Sequence, residues 1–145
     1  MNGAVTLPLL GHDRHIEGGP FAGWSGHGIG LCLDPDNPKR AGATIALDLA
    51  DFTAPTQPQL NHTLATLLAA LHDTPDAPIY IGCKAGIGRT GTLIAALAKL
   101  AGHDNPVAWT RQHYMAAAVE TPAQAACIAE LDPAAVWAAY RARIT

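Results

Sequence analysis

The sequence predicts an α/β fold in a single domain over residues 1–145, with a central, mostly parallel sheet flanked by helices. The chain has 145 residues, of which 49% are hydrophobic, so it can bury one continuous core. In the middle of the chain, short apolar runs alternate with segments of helical periodicity, which is typical of a parallel sheet covered by helices. No internal repeat and no linker divides the sequence, which favours one domain.

Residues 1–42 are rich in glycine, proline, histidine and aspartate. This composition predicts loops with one or two short strands, at "AVTL" and "GIGLCL". The run "ATIALDL" that follows predicts a buried strand ending near Asp48. Pro55 and Pro58 then mark a loop between this strand and the first helix.

Helical periodicity begins after that loop. Five leucines between residues 60 and 71 recur at helical spacing and predict an amphipathic helix over residues 59–72. "APIYIG" predicts a short strand, and residues 89–101 are apolar nearly all round, which is typical of a helix buried against a sheet. After Gly102 the chain is predicted to be helical to its end, because Pro106, Pro122 and Pro133 each follow a capping residue at a helix start.

Composition and charge exclude several classes of function. The net charge is −3 and no basic block is present, which argues against a nucleic-acid partner. The apolar segment from Leu93 to Ala98 is too short to span a bilayer, and "MNGAVTLPLLGHDRH" lacks the features of a signal peptide. Cys32, Cys83 and Cys127 are widely spaced and odd in number, which fits a reducing compartment better than a disulfide framework. We therefore expect a cytoplasmic protein, with a monomer as the favoured state.

The segment "YIGCKAGIGRTG", residues 80–91, carries most of the functional information. It joins a predicted strand to a predicted helix, and this is the place where α/β folds bind anions. Consecutive backbone N–H groups there can form a concave anion site, to which the helix dipole adds positive charge. Gly86 and Gly88 allow close approach of the backbone, and Arg89 supplies a planar fork that can hold a phosphate through two hydrogen bonds.

One interpretation of this loop is a dinucleotide site. Gly86, Gly88 and Gly91 match a bare G-x-G-x-x-G pattern. Such a site also needs a following strand with an acidic end about 20 residues further on. That region is "AGHDNPVAW", which contains Asp104 but no predicted strand, so the context disfavours this interpretation.

The other interpretation starts from the cysteine. Cys83 precedes Arg89 by six positions, and Thr90 follows directly. A thiolate needs cations and N–H groups around it at neutral pH, and the same groups would bind the oxygens of a phosphate above the sulfur. Thr90 could donate its hydroxyl to the sulfur when the sulfur departs. The loop therefore predicts nucleophilic chemistry on a phosphate.

"CKAGIGRTG" resembles the active-site loop of cysteine-dependent protein tyrosine and dual-specificity phosphatases, C-x5-R-[ST] in its C-x-A-G-x-G-R-T-G form. The resemblance implies a tyrosine-phosphatase-like fold with a shortened N-terminal part. It also implies a phosphate site made by Cys83, Arg89, Thr90 and the loop positions Lys84, Ala85, Gly86, Ile87 and Gly88. "LADFTAPT" is similar to the general-acid loop of the family and places Asp51 as the acid. "AVETPAQ" is similar to its water-positioning segment and places Gln124.

The resemblance implies a two-step mechanism that requires neither a metal nor a cofactor. Cys83 attacks the phosphate while Asp51 protonates the leaving oxygen, which gives a phosphocysteine. Arg89 and the loop amides hold the phosphate oxygens throughout. Gln124 then orients a water, and Asp51 acts as the base.

Several residues keep an alternative interpretation. Asp48 competes with Asp51 for the acid role and is alternatively the cap of a strand, and Gln124 is alternatively an ordinary helix residue. Cys32 and Cys127 are most simply small buried hydrophobes, with Cys32 as a redox partner of Cys83 in the minority interpretation. The two histidines of "HDRH", residues 12–15, are expected to be exposed rather than metal-bound. Trp24 is expected to fill a loop rather than to bind substrate.

The substrate class stays open at this point. We expect phosphotyrosine, with phosphoserine and phosphothreonine as further substrates, or a small phosphomonoester. Lys84 adds a cation that would suit phosphoinositides, but Ile87 stands where a second lysine would strengthen that idea. An inactive phosphate-binding module of the same fold is a further alternative, as are a sulfurtransferase and an arsenate reductase, which would need neither Asp51 nor Gln124.

Two departures from the family pattern concern geometry. The residue before the nucleophile is commonly a histidine that braces the loop, and here it is Gly82. Where an Arg-Pro-Gly is common before the water-positioning segment, this chain has Met115, Ala116 and Ala117. We expect weaker bracing of the anion loop and a changed loop path before Gln124.

Overall fold

The computed structural model describes all 145 residues and contains one five-stranded sheet. The strands are β1 (Gly3–Leu9), β2 (His12–Pro20), β3 (Ile29–Cys32), β4 (Ile45–Ala46) and β5 (Ile79–Cys83). Their order across the sheet is β1-β2-β5-β3-β4, and only the β1–β2 pair is antiparallel. The predicted α/β fold with a mostly parallel sheet is therefore confirmed.

The N-terminal part is a hairpin rather than a set of loops. Leu9 pairs with His12, so only Leu10 and Gly11 form the turn, and both have positive φ angles, of 55° and 80°. A two-residue turn in which both residues have positive φ has a backbone twist that matches the right-handed twist of the strands it connects. "AVTL" lies within β1 as predicted, but the strand β2 over "HDRHIEGGP" was not predicted, and this is a correction to the loop-rich interpretation of residues 1–42.

The predicted strand "ATIALDL" is much shorter than expected, because β4 contains only Ile45 and Ala46. Beyond it the chain still follows the sheet: the Leu47 N–H donates to Cys32 O at 2.9 Å and the Leu49 N–H to Leu33 O at 3.3 Å. Leu47 and Leu49 remain buried. The chain thus leaves the regular sheet early but keeps its apolar side chains in the core as it runs toward residue 51.

The predicted helices are confirmed. They are α1 (Gln57–Asp73), α2 (Gly88–Leu100), α3 (Pro106–His113), α4 (Pro122–Glu130) and α5 (Pro133–Ile144). The first residue of each of the last three is a proline, which needs no intrahelical N–H partner at that position. Thr56 with Gln59, and Thr121 with Gln124, form reciprocal capping boxes that fix the starts of α1 and α4. No helix is both long enough and apolar enough to cross a bilayer.

One core cluster of 33 buried residues joins the sheet to the helices. The helix α2 is almost entirely buried, as its sequence predicted, and Lys99 is its one partly exposed residue. Successive side chains of a strand point to opposite faces, and β5 shows this: Ile79 and Ile81 join the main core, whereas Tyr80 joins a small cluster with Phe21 and Trp24. Buried contacts on both faces hold β5 in place, and β5 leads directly into the functional loop.

Candidate active site

The sequence motif of residues 83–90 forms a loop between the end of β5 and the start of α2. β5 ends at Cys83 and α2 begins at Gly88, so Arg89 and Thr90 lie in the first helical turn. The backbone N–H groups at such a helix start have no intrahelical acceptor, and the helix dipole concentrates partial positive charge there. The loop therefore has the local structure of an anion site.

The Cys83 sulfur lies at the centre of this loop. The residue is only 2% exposed, and its Sγ accepts hydrogen bonds from the Gly86 N–H at 3.2 Å and the Thr90 hydroxyl at 3.1 Å. Two donors aimed at one sulfur stabilise negative charge on it. The same two donors would stabilise the sulfur as a leaving group.

Arg89 lies in the first turn of α2 and is 3% exposed. Its Nη1 donates to Leu49 O at 2.7 Å and, more weakly, to Leu33 O at 3.4 Å. Its buried Nε has no hydrogen-bond partner and lies 3.5 Å from Asp51 Oδ1, which makes that contact ionic without a hydrogen bond. A buried guanidinium N–H without an acceptor is costly to the fold and is well placed to bind an oxygen of a ligand.

The two acid candidates lie in different surroundings. The half-exposed Asp51 side chain contacts Arg89 and also accepts a hydrogen bond from the Phe52 N–H at 2.9 Å. Asp48 instead forms two hydrogen bonds of 2.7 Å to Arg40 on the surface. The hydrogen bonds from Arg40 hold the pKa of Asp48 below its usual value. Asp51 is thus the carboxylate that the fold brings to the anion loop, and Asp48 is occupied elsewhere.

Phe52 has an unusual conformation next to Asp51. Its φ angle is +64°, and its ring is 59% exposed in a chain that buries nearly all other large apolar side chains. A bulky residue at positive φ is strained, and such strain is found at functional sites. Here the backbone conformation points the Phe52 N–H at the Asp51 carboxylate.

Gln124 is fully buried, and three hydrogen bonds hold its side-chain amide. Its Oε1 accepts from the Glu120 N–H at 2.8 Å and the Thr121 N–H at 3.2 Å, and its Nε2 donates to Thr53 O at 3.2 Å. The side chain therefore connects the start of α4 to the loop that carries Asp51. Its Nε2 donates one hydrogen bond and therefore keeps a second N–H without a partner. The water-positioning role of Gln124 stays a prediction.

Glu120 is a residue that the sequence interpretation missed. A Cβ atom placed on Gly88 would collide with Glu120 Oε1, so this carboxylate lies against the first residue of α2. Arg111 holds the preceding carbonyls of Ala118 and Val119 with hydrogen bonds of 2.9 and 2.7 Å, and Val119 has a φ angle of +61°. The sequence pattern predicts the capping box of Thr121 and Gln124, but it does not set the direction of the residue before the cap.

The other loop positions differ in exposure. Lys84 and Ala85 are exposed, Ile87 is partly buried, and Gly86 and Gly88 are buried. Gly86 has a φ angle of +75°, a conformation that favours glycine. Lys84 makes no hydrogen bond or ion pair, so it raises the positive potential at the rim of the loop without lining its centre.

Gly82 has no room for a side chain. A Cβ atom there would lie 2.7 Å from Gly19 O and from backbone atoms of Phe21. A histidine cannot occupy this position as β2 and β5 are packed. The bracing of the loop must come from elsewhere in the chain.

The remaining candidates lie outside the site. All three cysteines are free thiols; burial raises the pKa of Cys32 and raises that of Cys127 to about 11. Cys32 Sγ donates to Asp34 O at 3.4 Å. His15 is exposed and pairs with Glu17 at 3.1 Å, and no cluster of three potential metal ligands is present. Trp24 is 7% exposed within the small core cluster, as expected of a residue that fills a loop.

A family model matches residues 37–136, about two thirds of the chain; it describes the DSP-PTPase phosphatase domain of a Swiss Army Knife protein, PTP-SAK. The match contains the anion loop, the acid loop and the start of α4. The hairpin β1–β2 lies outside it.

The fold is also similar to solved phosphatase structures. Tk-PTP in its active form superimposes with a TM-score of 0.64 at 22% identity, covering 86% of this chain and 95% of that one. The G95A form of Tk-PTP gives 0.66 at 21% identity over 99% and 98% of the two chains. PTPMT1 gives 0.54 at 20% identity over 80% and 81%. At these identities the likeness shows the fold alone.

Two uncharacterised proteins of Methanocaldococcus jannaschii are each 32% identical over 81 residues, which is 56% of this chain. The alignments cover 50% and 54% of those proteins. The match thus spans about half the length of each of these curated relatives.

Proposed function

This chain belongs to the DSP-PTPase phosphatase domains of the Swiss Army Knife family, and on that premise we propose that it hydrolyses phosphomonoesters through a phosphocysteine intermediate. One observation carries the proposal. The buried Cys83 sulfur accepts two hydrogen bonds in the segment that joins β5 to the first turn of α2, and Arg89 in that same turn has a buried N–H that lacks an acceptor. The Arg89 N–H is therefore free to donate to an oxygen of a bound phosphate, and the Cys83 sulfur can act as the nucleophile that attacks its phosphorus.

In the first step the Cys83 sulfur forms a bond to phosphorus while the bond from phosphorus to the leaving oxygen breaks. The leaving oxygen takes that bond's electron pair and receives a proton from Asp51, so an alcohol or phenol departs. The Arg89 Nε–H and the loop N–H groups hold the phosphate oxygens, on which charge develops. In this arrangement the Arg89 cation stays in place while the Asp51 carboxyl loses its proton.

In the second step water attacks the phosphocysteine and the sulfur leaves as a thiolate. Thr90, which donates to Cys83 at 3.1 Å, stabilises the departing sulfur. A carboxylate accepts the proton of the water, and inorganic phosphate is released. Asp51 is our candidate for this base, with Glu120 as the second carboxylate that faces the loop; Gln124 acts by holding the backbone of both segments.

Phosphotyrosine is the substrate that we propose first, with phosphoserine and phosphothreonine as further substrates. Phe52 supports this choice because it places an exposed aromatic ring next to the acid, where it can pack against the ring of an aryl phosphate. Lys84 is exposed at the rim and supports the alternative of a more highly charged phosphoinositide or small-molecule phosphate. The three free thiols support a reducing, cytoplasmic location.

The test is release of phosphate from an aryl phosphate, phosphotyrosine and phosphoserine peptides, and phosphoinositides, by the wild type and by Cys83→Ser. We expect turnover by the wild type and none by the serine variant, since a hydroxyl is a far weaker nucleophile at neutral pH. The variant should still bind vanadate, because Arg89 and the loop N–H groups remain. Turnover by Cys83→Ser would overturn the mechanism, and vanadate binding without turnover by the wild type would favour an inactive binding module.

A further inference from the structure

Two side chains hold the anion loop from outside. The Tyr114 hydroxyl donates to Gly86 O at 2.5 Å, and the Asn2 side-chain amide donates to Ala85 O at 2.7 Å and to Gly86 O at 3.2 Å. Tyr114 directly follows α3 as its C-cap, and Asn2 precedes β1, where its own N–H donates to Gly18 O at 2.8 Å. Residues far apart in the chain thus converge on two consecutive loop carbonyls.

These contacts fix the direction of the peptide groups. In a planar trans peptide the C=O and the following N–H point in opposite directions. Asn2 draws the Ala85 carbonyl outward, and the N–H of that same peptide, on Gly86, points inward and donates to Cys83 Sγ at 3.2 Å. The next peptide has its Gly86 carbonyl held outward by both side chains, so the Ile87 N–H is turned toward the anion site.

The loop needs such support because its sequence does not provide it. Gly86 has a φ angle of +75° and lacks a side chain, so its peptide groups can rotate more easily than those of other residues. Gly82, before the nucleophile, has no side chain to donate a hydrogen bond. A rotated peptide would place a carbonyl oxygen next to the thiolate and the phosphate, where like charges repel.

The surrounding residues form a close-fitting slot for the supporting side chains. A Cβ atom on Gly18 would lie 2.5 to 2.7 Å from atoms of the Tyr114 ring, and one on Gly3 would lie 3.1 Å from it. A Cβ atom on Gly86 would meet Gly19 and the Asn2 amide. Burial, and then the neighbouring Cys83, raise the pKa of the Tyr114 hydroxyl, so it keeps the proton that it donates.

We infer that Asn2 and Tyr114 are positioning residues for the anion loop: they hold the peptides after Ala85 and after Gly86 with both N–H groups directed at the sulfur and the phosphate. They take over the bracing that the resembling family assigns to the residue before the nucleophile. This inference rests on the proposed function for its catalytic meaning, but the effect on anion binding does not depend on turnover. Asn2, which precedes the hairpin β1–β2 and lies outside the family match, thereby becomes part of the site.

The experiment compares Tyr114→Phe, Asn2→Ala and the double variant with Tyr80→Phe. Tyr80 is the matched control, since its buried hydroxyl donates to Pro20 O at 2.7 Å and does not touch the anion loop. Two readouts are measured for each protein: the dissociation constant of vanadate, and the rate of Cys83 alkylation by iodoacetamide against pH. Peptide mapping separates Cys83 from the other two cysteines, and thermal unfolding monitors stability.

We call Tyr114→Phe, Asn2→Ala and their combination the brace variants. Each single brace variant should weaken vanadate binding about 3- to 10-fold, which is the loss expected when one hydrogen bond is removed. The alkylation profile should move to higher pH, because fewer aligned N–H groups stabilise the thiolate. The double variant should lose more than the product of the two single effects, because in each single variant the other side chain still holds the Gly86 carbonyl. Tyr80→Phe should be destabilised to a similar degree and leave both readouts unchanged.

Two outcomes would overturn the inference: unchanged vanadate binding and alkylation in the brace variants, or equal losses in Tyr80→Phe. Either result would leave the proposed function standing if the wild type hydrolyses phosphomonoesters. Conversely, a wild type that binds vanadate but shows no turnover, with weaker binding in the brace variants, would support the brace and reject the proposed hydrolysis.

Discussion

The anion loop, residues 83–90, and the acid loop, residues 50–53, meet at one site but are built differently. In the anion loop Cys83, Arg89 and Thr90 are at most 3% exposed, and two side chains from distant elements hold its carbonyls. In the acid loop Asp51 is half exposed and Phe52 is 59% exposed at positive φ. One half of the site is part of the core, and the other half lies on the surface.

The difference follows from the two tasks. Donors that stabilise developing charge act most strongly when they are fixed in advance and shielded from water. A group that delivers a proton to a departing oxygen must admit the substrate and let the product leave, which favours an exposed, adjustable loop. Arg89 connects the halves through its ion pair with Asp51 and its hydrogen bond to Leu49 O, and Gln124 ties the acid loop to the start of α4 through Thr53 O.

Substitution of Arg89 should have the largest effect, because this residue serves both loops. Arg89→Lys replaces a planar fork with a single ammonium group and removes donors from Leu49 O and Leu33 O. We expect kcat/KM to fall by on the order of 10³-fold or more, judged from the loss of a single preorganised donor, together with weaker vanadate binding. Steady-state kinetics and vanadate titration measure both. Activity near that of the wild type would show that charge alone, without the bidentate geometry, suffices.

Substitution of Asp51 should affect proton transfer to the leaving group but not anion binding. Asp51→Asn removes the acid but not the donors of the anion loop, so kcat should fall by about 10² to 10⁴ for substrates with poor leaving groups while vanadate affinity is retained. Substrates with good leaving groups, which need no proton, should be affected much less. Asp48→Asn is the matched control, because that carboxylate is paired with Arg40, and it should leave the kinetics unchanged.

Glu120→Gln tests whether the Glu120 carboxylate takes part in proton transfer as general acid or general base. If Asp51 is both acid and base, Glu120→Gln should leave the dependence on the leaving group and the hydrolysis of the phosphocysteine unchanged. Slower hydrolysis of the phosphocysteine alone would make Glu120 the base. A dependence on the leaving group as steep as that expected for Asp51→Asn would instead make Glu120 the acid. Pre-steady-state release of the leaving group separates these two results.

The sequence predicted the anion loop and the helices because their signals are local. The motif from Cys83 to Thr90 lies within one turn and one helix start, and the prolines that begin α3, α4 and α5 mark their own positions. The resemblance to cysteine-dependent dual-specificity phosphatases is confirmed by the family match. The roles of single residues in the mechanism stay predictions.

The features that the sequence did not predict depend on contacts between distant segments. The strand β2 contains "HDRH", which reads as an exposed polar loop, yet Arg14 is buried because its guanidinium donates to Leu9 O and Pro75 O. Asn2 carries no local sign that it reaches residues 85 and 86. The direction of Glu120 depends on the strained Val119 that Arg111 holds, and periodicity does not report such backbone conformations.

Substitution of Gln124 should have a smaller effect than substitution of Arg89 or Asp51, and it separates two interpretations of this residue. As a water-positioning residue it would matter for the second step, and Gln124→Ala would give a burst of leaving group followed by slow turnover. The contact of its Nε2 with Thr53 O instead predicts that the acid loop shifts, so that kcat falls about 10-fold for poor leaving groups, without a burst and with unchanged vanadate affinity.

Gln124→Glu provides the matched variant for this measurement. It keeps an oxygen that accepts from the Glu120 and Thr121 N–H groups, so the capping box and the start of α4 are preserved, but it cannot donate to Thr53 O. If the acid loop is held through Thr53, both variants should lose activity in the same leaving-group-dependent way, although only the alanine variant loses the cap and its contribution to thermal stability. If Gln124→Glu shows the same dependence on the leaving group as the wild type, the acid loop keeps its conformation without the hydrogen bond to Thr53 O. The acid loop and the anion loop would then differ less in rigidity than the structure indicates.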